Sequence, residues 1–123
     1  MTALVLAVFE NKANAAVAML DNGANPNLKL GKAKYDALML AVKKGNLQMA
    51  QTLLQYKSKP NAANAGGVTP LMIAAHTNKD MLVSLLLKAG ANPKLKDDEG
   101  KTAATLAEES GADKALKQLK AAK

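Results

Sequence analysis

The chain has no cysteine, no tryptophan and, among its 17 basic residues, no arginine. Each absence removes a class of chemistry. Without cysteine there are no disulfides, no thiolate nucleophile and no thiolate metal site, and the redox compartment stays open. Without arginine, base-specific contact with nucleic acid loses its commonest tool, the bidentate guanidinium. Aromatics are scarce too: Phe9, Tyr35 and Tyr56 are the whole set, which leaves no platform for stacking the bases of a single strand. Long apolar runs are also missing. The stretch "ALVLAVF", Ala3 to Phe9, is far too short to span a bilayer. It is a poor secretion signal as well, because no basic residue precedes it and Glu10 and Lys12 follow at once. The compartment is therefore unknown: cytoplasmic by default, periplasmic if a leader has been trimmed from the front of Met1.

What remains is enough for a folded domain. The 123 residues are 49% apolar, so the chain can bury a core. That core must be made from Leu, Ala, Val and Met, which favour helix, whereas strand-rich folds lean on β-branched and aromatic residues. An all-α domain is expected. The formal charge is +7, which suits an acidic partner, nucleic acid or an anionic surface. A lysine-rich solubilising surface is the plainer explanation.

Order emerges when the chain is laid against itself. "TPLMIAAHTNKDMLVSLLLKAGANPKLKD" starts at Thr69; equivalent segments start at Thr2, Asp36 and Thr102, at spacings of 34, 33 and 33 residues. The extra residue lies in the connection after Pro26, near Leu30. Each segment opens with an apolar residue two after its start and alanine three later: Leu4 and Ala7, Leu38 and Ala41, Leu71 and Ala74, Ala104 and Ala107. Asn11, Gly45, Asn78 and Gly111 then fall at one position, each able to take a left-handed turn between two helices. A second apolar segment follows, and the first and third units close in "NGANP" and "AGANP", while the second has "YKSKP" with Lys57 in place of glycine.

These residues resemble the ankyrin repeat family, whose unit of 33 residues is a β-turn followed by two antiparallel helices, with T-P-L-H-x-A opening the first. Thr69, Pro70, Leu71, Ala74 and Ala75 match that signature, with Met72 where histidine is usual, and Gly90, Ala91 and Asn92 resemble the family's closing turn. The resemblance implies an α-solenoid, a stack of helix-turn-helix repeats joined by short turns or hairpins. It is expected to form a single domain over residues 1–123, with units of about 1–30, 31–63, 64–96 and 97–123, the first and last atypical. Pro70 suits the first turn of a helix, Thr69 suits its cap, and the paired alanines keep neighbouring helices close. The last unit looks like a natural end, with Glu108 in the place of Ala75 and Lys114, Lys117, Lys120 and Lys123 along its second helix. The first starts directly in a helix with an apolar face. Either it is a minimal cap or native sequence lies upstream.

Chemistry is poorly provided for. His76 is the lone histidine and has no recognisable catalytic or ligating company. "DDEG", Asp97 to Gly100, lacks the spacing of a calcium loop, and Gly66-Gly67 lacks the lysine and hydroxyl of a phosphate loop. Met19, Met39, Met49, Met72 and Met81 fall at core spacing. No catalytic residue, metal ligand or cofactor site is expected, and no enzyme activity.

The resemblance instead implies a monomeric, non-catalytic protein-interaction module that uses a concave face made of turn tips and the exposed side of the first helices. The residues of this chain at those places are Phe9, Glu10, Lys43, Lys44, His76 and Thr77 at helix ends, and Lys32, Tyr35, Val68, Asp98, Glu99 and Lys101 at turns. Phe9 and Tyr35 are candidate anchors. The basic N-terminal half and the acidic turn at Asp97–Glu99 suggest a partner with the opposite charge gradient. The expected partner is another protein, and a bacterial inhibitor or immunity protein that covers a partner enzyme is the specific form considered. Lysine-mediated binding of nucleic acid or an anionic surface is the alternative. No membrane and no small-molecule substrate are implied.

Overall fold

Thr2, Asp36, Thr69 and Thr102 each begin a helix in the same way. In the computed structural model, which describes residues 2–122, their side-chain oxygens accept from the backbone N–H three residues on, at Val5, Met39, Met72 and Thr105, over 3.2, 2.9, 3.3 and 3.2 Å. Such caps satisfy donors that a helix start leaves free. They open α1 (Ala3–Phe9), α3 (Ala37–Lys43), α5 (Pro70–His76) and α7 (Ala103–Ser110). Each is followed by a partner: α2 (Ala13–Asp21), α4 (Leu47–Gln55), α6 (Asp80–Lys88) and α8 (Asp113–Ala121). Among the described residues there are these eight helices and no strand.

Helices this short are not stable alone in water. Stacking stabilises them. The inner helices pack in order, α1 on α3, α3 on α5 and α5 on α7, while α4 and α8 flank α6 in an outer row. Ala7, Ala41, Ala74, Ala75 and Ala107 are all buried between inner helices, which explains the small residues at the heart of "TPLMIAAH": anything larger would overpack that layer. The junction of each pair is left-handed at Asn11, Gly45, Asn78 and Gly111, as the alignment suggested. Lys57 also has a positive φ, in the place that Gly23 and Gly90 hold. Two of the asparagines do more than turn the chain. Asn11 accepts from Asn46, and Asn78 accepts from the N–H of Ala115, so each ties its unit to the next.

A second set of cross-links joins the outer loops. The amide of Asn27 donates to the Lys57 carbonyl and accepts from the Lys59 N–H, over 3.1 and 2.8 Å. Asn61 repeats this on Gly90 and Asn92 at 3.1 and 2.7 Å. The extra residue after Pro26 is absorbed in a wider turn. Leu30 and Tyr35 exchange both backbone hydrogen bonds across residues 31–34, whereas the corresponding turns close one residue sooner, Asn64 on Val68 and Asp97 on Lys101. Those shorter turns are braced from within. Asn64 accepts from Gly66 and Val68, and Asp97 accepts from Glu99 and Lys101.

Two residues depart from the expected core. Met39, Met49 and Met72 are buried, but Met81 is 65% exposed. The inward stripe of α6 is Leu82, Val83 and Leu86, and Met81 stands beside it on the solvent side. Ser58 is buried, and its hydroxyl has no hydrogen-bond partner among the described residues. The first and third units carry Ala24 and Ala91 at the same register. An unpaired buried hydroxyl is costly, so Ser58→Ala should stabilise the fold by roughly 1 kcal/mol. A urea titration checks this, and a lower midpoint for the variant would refute it. Lys114, Lys117 and Lys120 do lie along α8; Lys123, grouped with them by sequence, is outside the described residues.

Candidate protein-binding face

Turns 31–34, 64–67 and 97–100 precede α3, α5 and α7, so turn tips and inner helices share one side of the stack. The turns also hold one another. Ala65 N–H donates to the Ala33 carbonyl at 2.8 Å, and Asp98 N–H donates to the Gly66 carbonyl at 2.9 Å. Between the turns and the helices lie two concavities. One, of about 510 Å³, is walled by Val5 and Phe9 of α1, Leu30, Ala33 and Tyr35 of the turn, and Leu40 and Lys43 of α3. The next, of about 370 Å³, lies between Tyr35 and Lys43 on one side and Val68, Ile73, His76, Thr77, Glu99 and Leu106 on the other. Tyr35 and Lys43 form the wall between them.

The residues chosen by alignment fall into distinct places. Phe9, Tyr35 and Lys43 meet in the first concavity, and Tyr35, Lys43, Val68, His76, Thr77 and Glu99 meet in the second. Lys44 lies outside both but sits 4.1 Å from the centre of the Phe9 ring, and Lys43 sits 5.3 Å from that of Tyr35. These are cation–π distances. Glu10, Lys32 and Asp98 are exposed and line neither concavity. Lys101 is drawn toward its own chain, pairing with Glu109 at 3.0 Å and Glu99 at 3.9 Å. The hydrogen bond to Glu109, then the charges of Glu109 and Glu99, hold its ammonium above the ordinary lysine pKa. Phe9 is 48% exposed, but Tyr35, which lines both concavities, is half-buried.

Aliphatic walls escaped the alignment. Leu40, Ile73 and Leu106, which line the concavities, and Leu6, which does not, occupy the fourth position of the four inner helices. Leu6 is exposed and the other three are half-buried. Together they form an apolar row one helical turn before Phe9, Lys43, His76 and Glu109. The signal for this row was the 33-residue register itself.

Asp36 lines the first concavity from below. Its burial raises the carboxyl pKa above the ordinary 3.8, against the hydrogen bond from Met39 N–H and the charge of Lys29. The folded state therefore holds this proton more tightly than the unfolded chain does. The resulting stabilisation is complete below the unfolded pKa and is lost as pH rises through the folded one. Asp36→Thr, which copies the cap used at Thr2, Thr69 and Thr102, should raise stability most at neutral pH, with the gain shrinking toward about pH 3. Urea midpoints across that range test the sign, and a gain that grows on acidification would contradict it.

Four capped helix pairs in register, each closed by a tight turn, define an α-solenoid. The chain belongs to the ankyrin repeat family: the model for three copies of the ankyrin repeat matches residues 1–64 and 38–123. It is similar to an ankyrin repeat-containing protein of Treponema pallidum, 35% identical over 81% of this chain and 34% of that protein. It is also similar to cyclin-dependent kinase inhibitor 2A of Monodelphis domestica, 31% identical over 88% of this chain and 63% of that one. Against the nuclear factor NF-kappa-B p105 subunit of Mus musculus the identity is 32% over 80% of this chain, but only 10% of the relative. The chain thus spans between a tenth and two thirds of the length of these relatives. Ankyrin repeats are generally protein–protein interaction modules without catalytic activity. No helix among the described residues is long and apolar enough to cross a membrane.

Proposed function

We propose that this chain binds one protein partner through its concave face, from Phe9 to the turn at Asp98–Lys101, and acts as an inhibitor by covering a partner enzyme. One observation carries the proposal: seven of the twelve residues that the repeat register assigned to that face, Phe9, Tyr35, Lys43, Val68, His76, Thr77 and Glu99, line two adjoining concavities with Tyr35 and Lys43 between them. The likeness to a kinase inhibitor over most of this chain supports the inhibitory form. A rigid stack is suited to it, since little ordering entropy is lost on docking.

The test is affinity capture from the source organism at moderate salt, comparing wild type with a Tyr35→Ala, Lys43→Glu, Lys44→Glu variant that circular dichroism shows to be folded. A Lys114→Glu, Lys117→Glu, Lys120→Glu variant reverses charge on α8 and serves as the control. The expected result is one protein retained by wild type and by the α8 variant and lost by the first. An activity assay on that protein then tests inhibition. Retention by all three would refute the assignment of the face. Nucleic acid in the eluate, released steeply by salt, would favour lysine-mediated binding instead.

A further inference from the structure

The two concavities are not chemically alike, and the difference says what kind of segment the first would take. Its walls, Val5, Phe9, Leu30, Ala33, Tyr35 and Leu40, are apolar. Its volume of about 510 Å³ is in the range of sites that enclose a ligand-sized body, enough for a large side chain. The charged groups around it are nearly all cations: Lys43, which ends α3 and lines the cavity, Lys44, which caps α3 beside Phe9, and the exposed Lys32 and Lys34 on the turn whose Gly31 and Ala33 line the cavity. Two carboxyls are near. Asp36 is buried and occupied as the cap of α3, and Glu10 follows Phe9 at the exposed end of α1.

Lys43 and Lys44 are held in place without being neutralised. Neither has a carboxylate within ion-pair distance among the described residues, where Lys101 alone makes such pairs. Instead each ammonium lies by an aromatic ring, Lys43 by Tyr35 and Lys44 by Phe9. Lys43 lines the apolar cavity itself, and Lys44 lies by Phe9 in the adjoining concavity with Asn11, Asn46 and Leu47, so one uncompensated positive charge is set at the cavity's edge and a second beside one of its walls. An apolar pocket with fixed cations beside it complements an apolar side chain with a carboxylate next to it.

We propose that the concavity between α1, the turn at residues 31–34 and α3 receives a large apolar side chain of the protein partner, and that Lys43 and Lys44 hold an acidic residue adjacent to it. This rests on the reading of the concave face as the binding face. The occupant is a partner segment of apolar-plus-acidic character, and the same cations disfavour a segment whose anchor is flanked by lysine or arginine.

Three short fluorescein-labelled peptides test this: one with Trp-Leu at its centre between glutamates, one with lysines in place of the glutamates, and one with alanines in place of Trp-Leu. Binding is read by anisotropy and by amide shifts in the nitrogen-15-labelled chain. The first peptide should bind about tenfold tighter than either of the others, and the shifts should centre on Gly31, Ala33, Leu40 and Lys43. In the Lys43→Glu, Lys44→Glu variant the preference should reverse, with the lysine-flanked peptide now bound more tightly. A merely structural role for the two lysines would not produce that reversal. Equal or absent binding by the three peptides overturns the proposal, as does weakening without reversal. Shifts confined to Val68, His76 and Thr77 would overturn it while leaving the concave face as the binding face. If no peptide binds and the captured partner is also retained by the Tyr35→Ala, Lys43→Glu, Lys44→Glu variant, both fall.

Discussion

Leu71→Ala is expected to lower the unfolding free energy by about 2–5 kcal/mol, while Met81→Ala changes it by less than about 0.5 kcal/mol. Leu71 is 1% exposed in α5, and α5 touches α3, α6 and α7. Truncating it removes apolar contact on several sides, and α3 and α7, held by their Asp36 and Thr102 caps, cannot close the space. Against a total of about 5–15 kcal/mol for a typical domain, that loss is large. The equivalent change at Leu4, in the first of the described units, should cost less in this chain. Leu4 is also buried, but α1 has α2 and α3 as neighbours and nothing described on its far side. In a stack whose stability is a sum of unit and nearest-neighbour terms, a central site weakens two junctions and a terminal site one. Urea midpoints for the three variants decide the point. Equal losses at Leu4 and Leu71 would rule out the nearest-neighbour account.

Much of this arrangement could be read before any coordinates, for a physical reason. Capping oxygens, left-handed turns and methyl-sized contacts each demand a narrow set of residues, so Thr2, Asp36, Thr69 and Thr102 recur in register with Asn11, Gly45, Asn78 and Gly111. Even the extra residue near Leu30 was visible, and the wider turn between Leu30 and Tyr35 accommodates it. Aliphatic positions were less legible. On helices of seven to nine residues, apolar spacing does not distinguish the side facing a neighbour from the side facing a groove. Met81 was therefore assigned to the core, and the Leu40, Ile73 and Leu106 row went unnoticed. Side-chain amides were harder still. Asn27 and Asn61 look like ordinary loop residues, and their bonds to the following unit depend on loops separated by a whole repeat. As for the candidate face, the register brought forward residues that protrude, such as Phe9 and His76. The cavity walls between them depend on how far adjacent units diverge, which spacing does not encode.

Gly67→Ala should cost roughly 2–4 kcal/mol, and Gly31→Ala only about 1–2 kcal/mol, the ordinary strain of an L-residue in left-handed backbone. Both glycines have positive φ, +77° and +74°. They differ in their surroundings. A Cβ on Gly31 would meet nothing within 4 Å, but one on Gly67 would lie 2.7 Å from Asp98 Oδ1, 3.0 Å from the Asp98 backbone nitrogen and 3.2 Å from the Asp97 Cα. The carboxylate oxygen can swing away. The backbone atoms cannot, because Asp98 N–H is bonded to the Gly66 carbonyl and Asp97 is locked to Lys101. A methyl group must therefore push the turn at residues 97–100 a few tenths of an ångström away from the turn at 64–67 and strain the hydrogen bond between them. Thermal or urea unfolding measures the difference, and equal costs at the two glycines would contradict this account. The change also reaches the candidate face. Val68 stands on one side of the second concavity and Glu99 on another, so spreading these turns should weaken a partner that bridges them. A peptide anchored only between Phe9, Leu40 and Lys43 should lose less affinity for the folded Gly67→Ala variant, since the atoms that the new methyl would meet belong to Asp97 and Asp98 and not to the turn at residues 31–34.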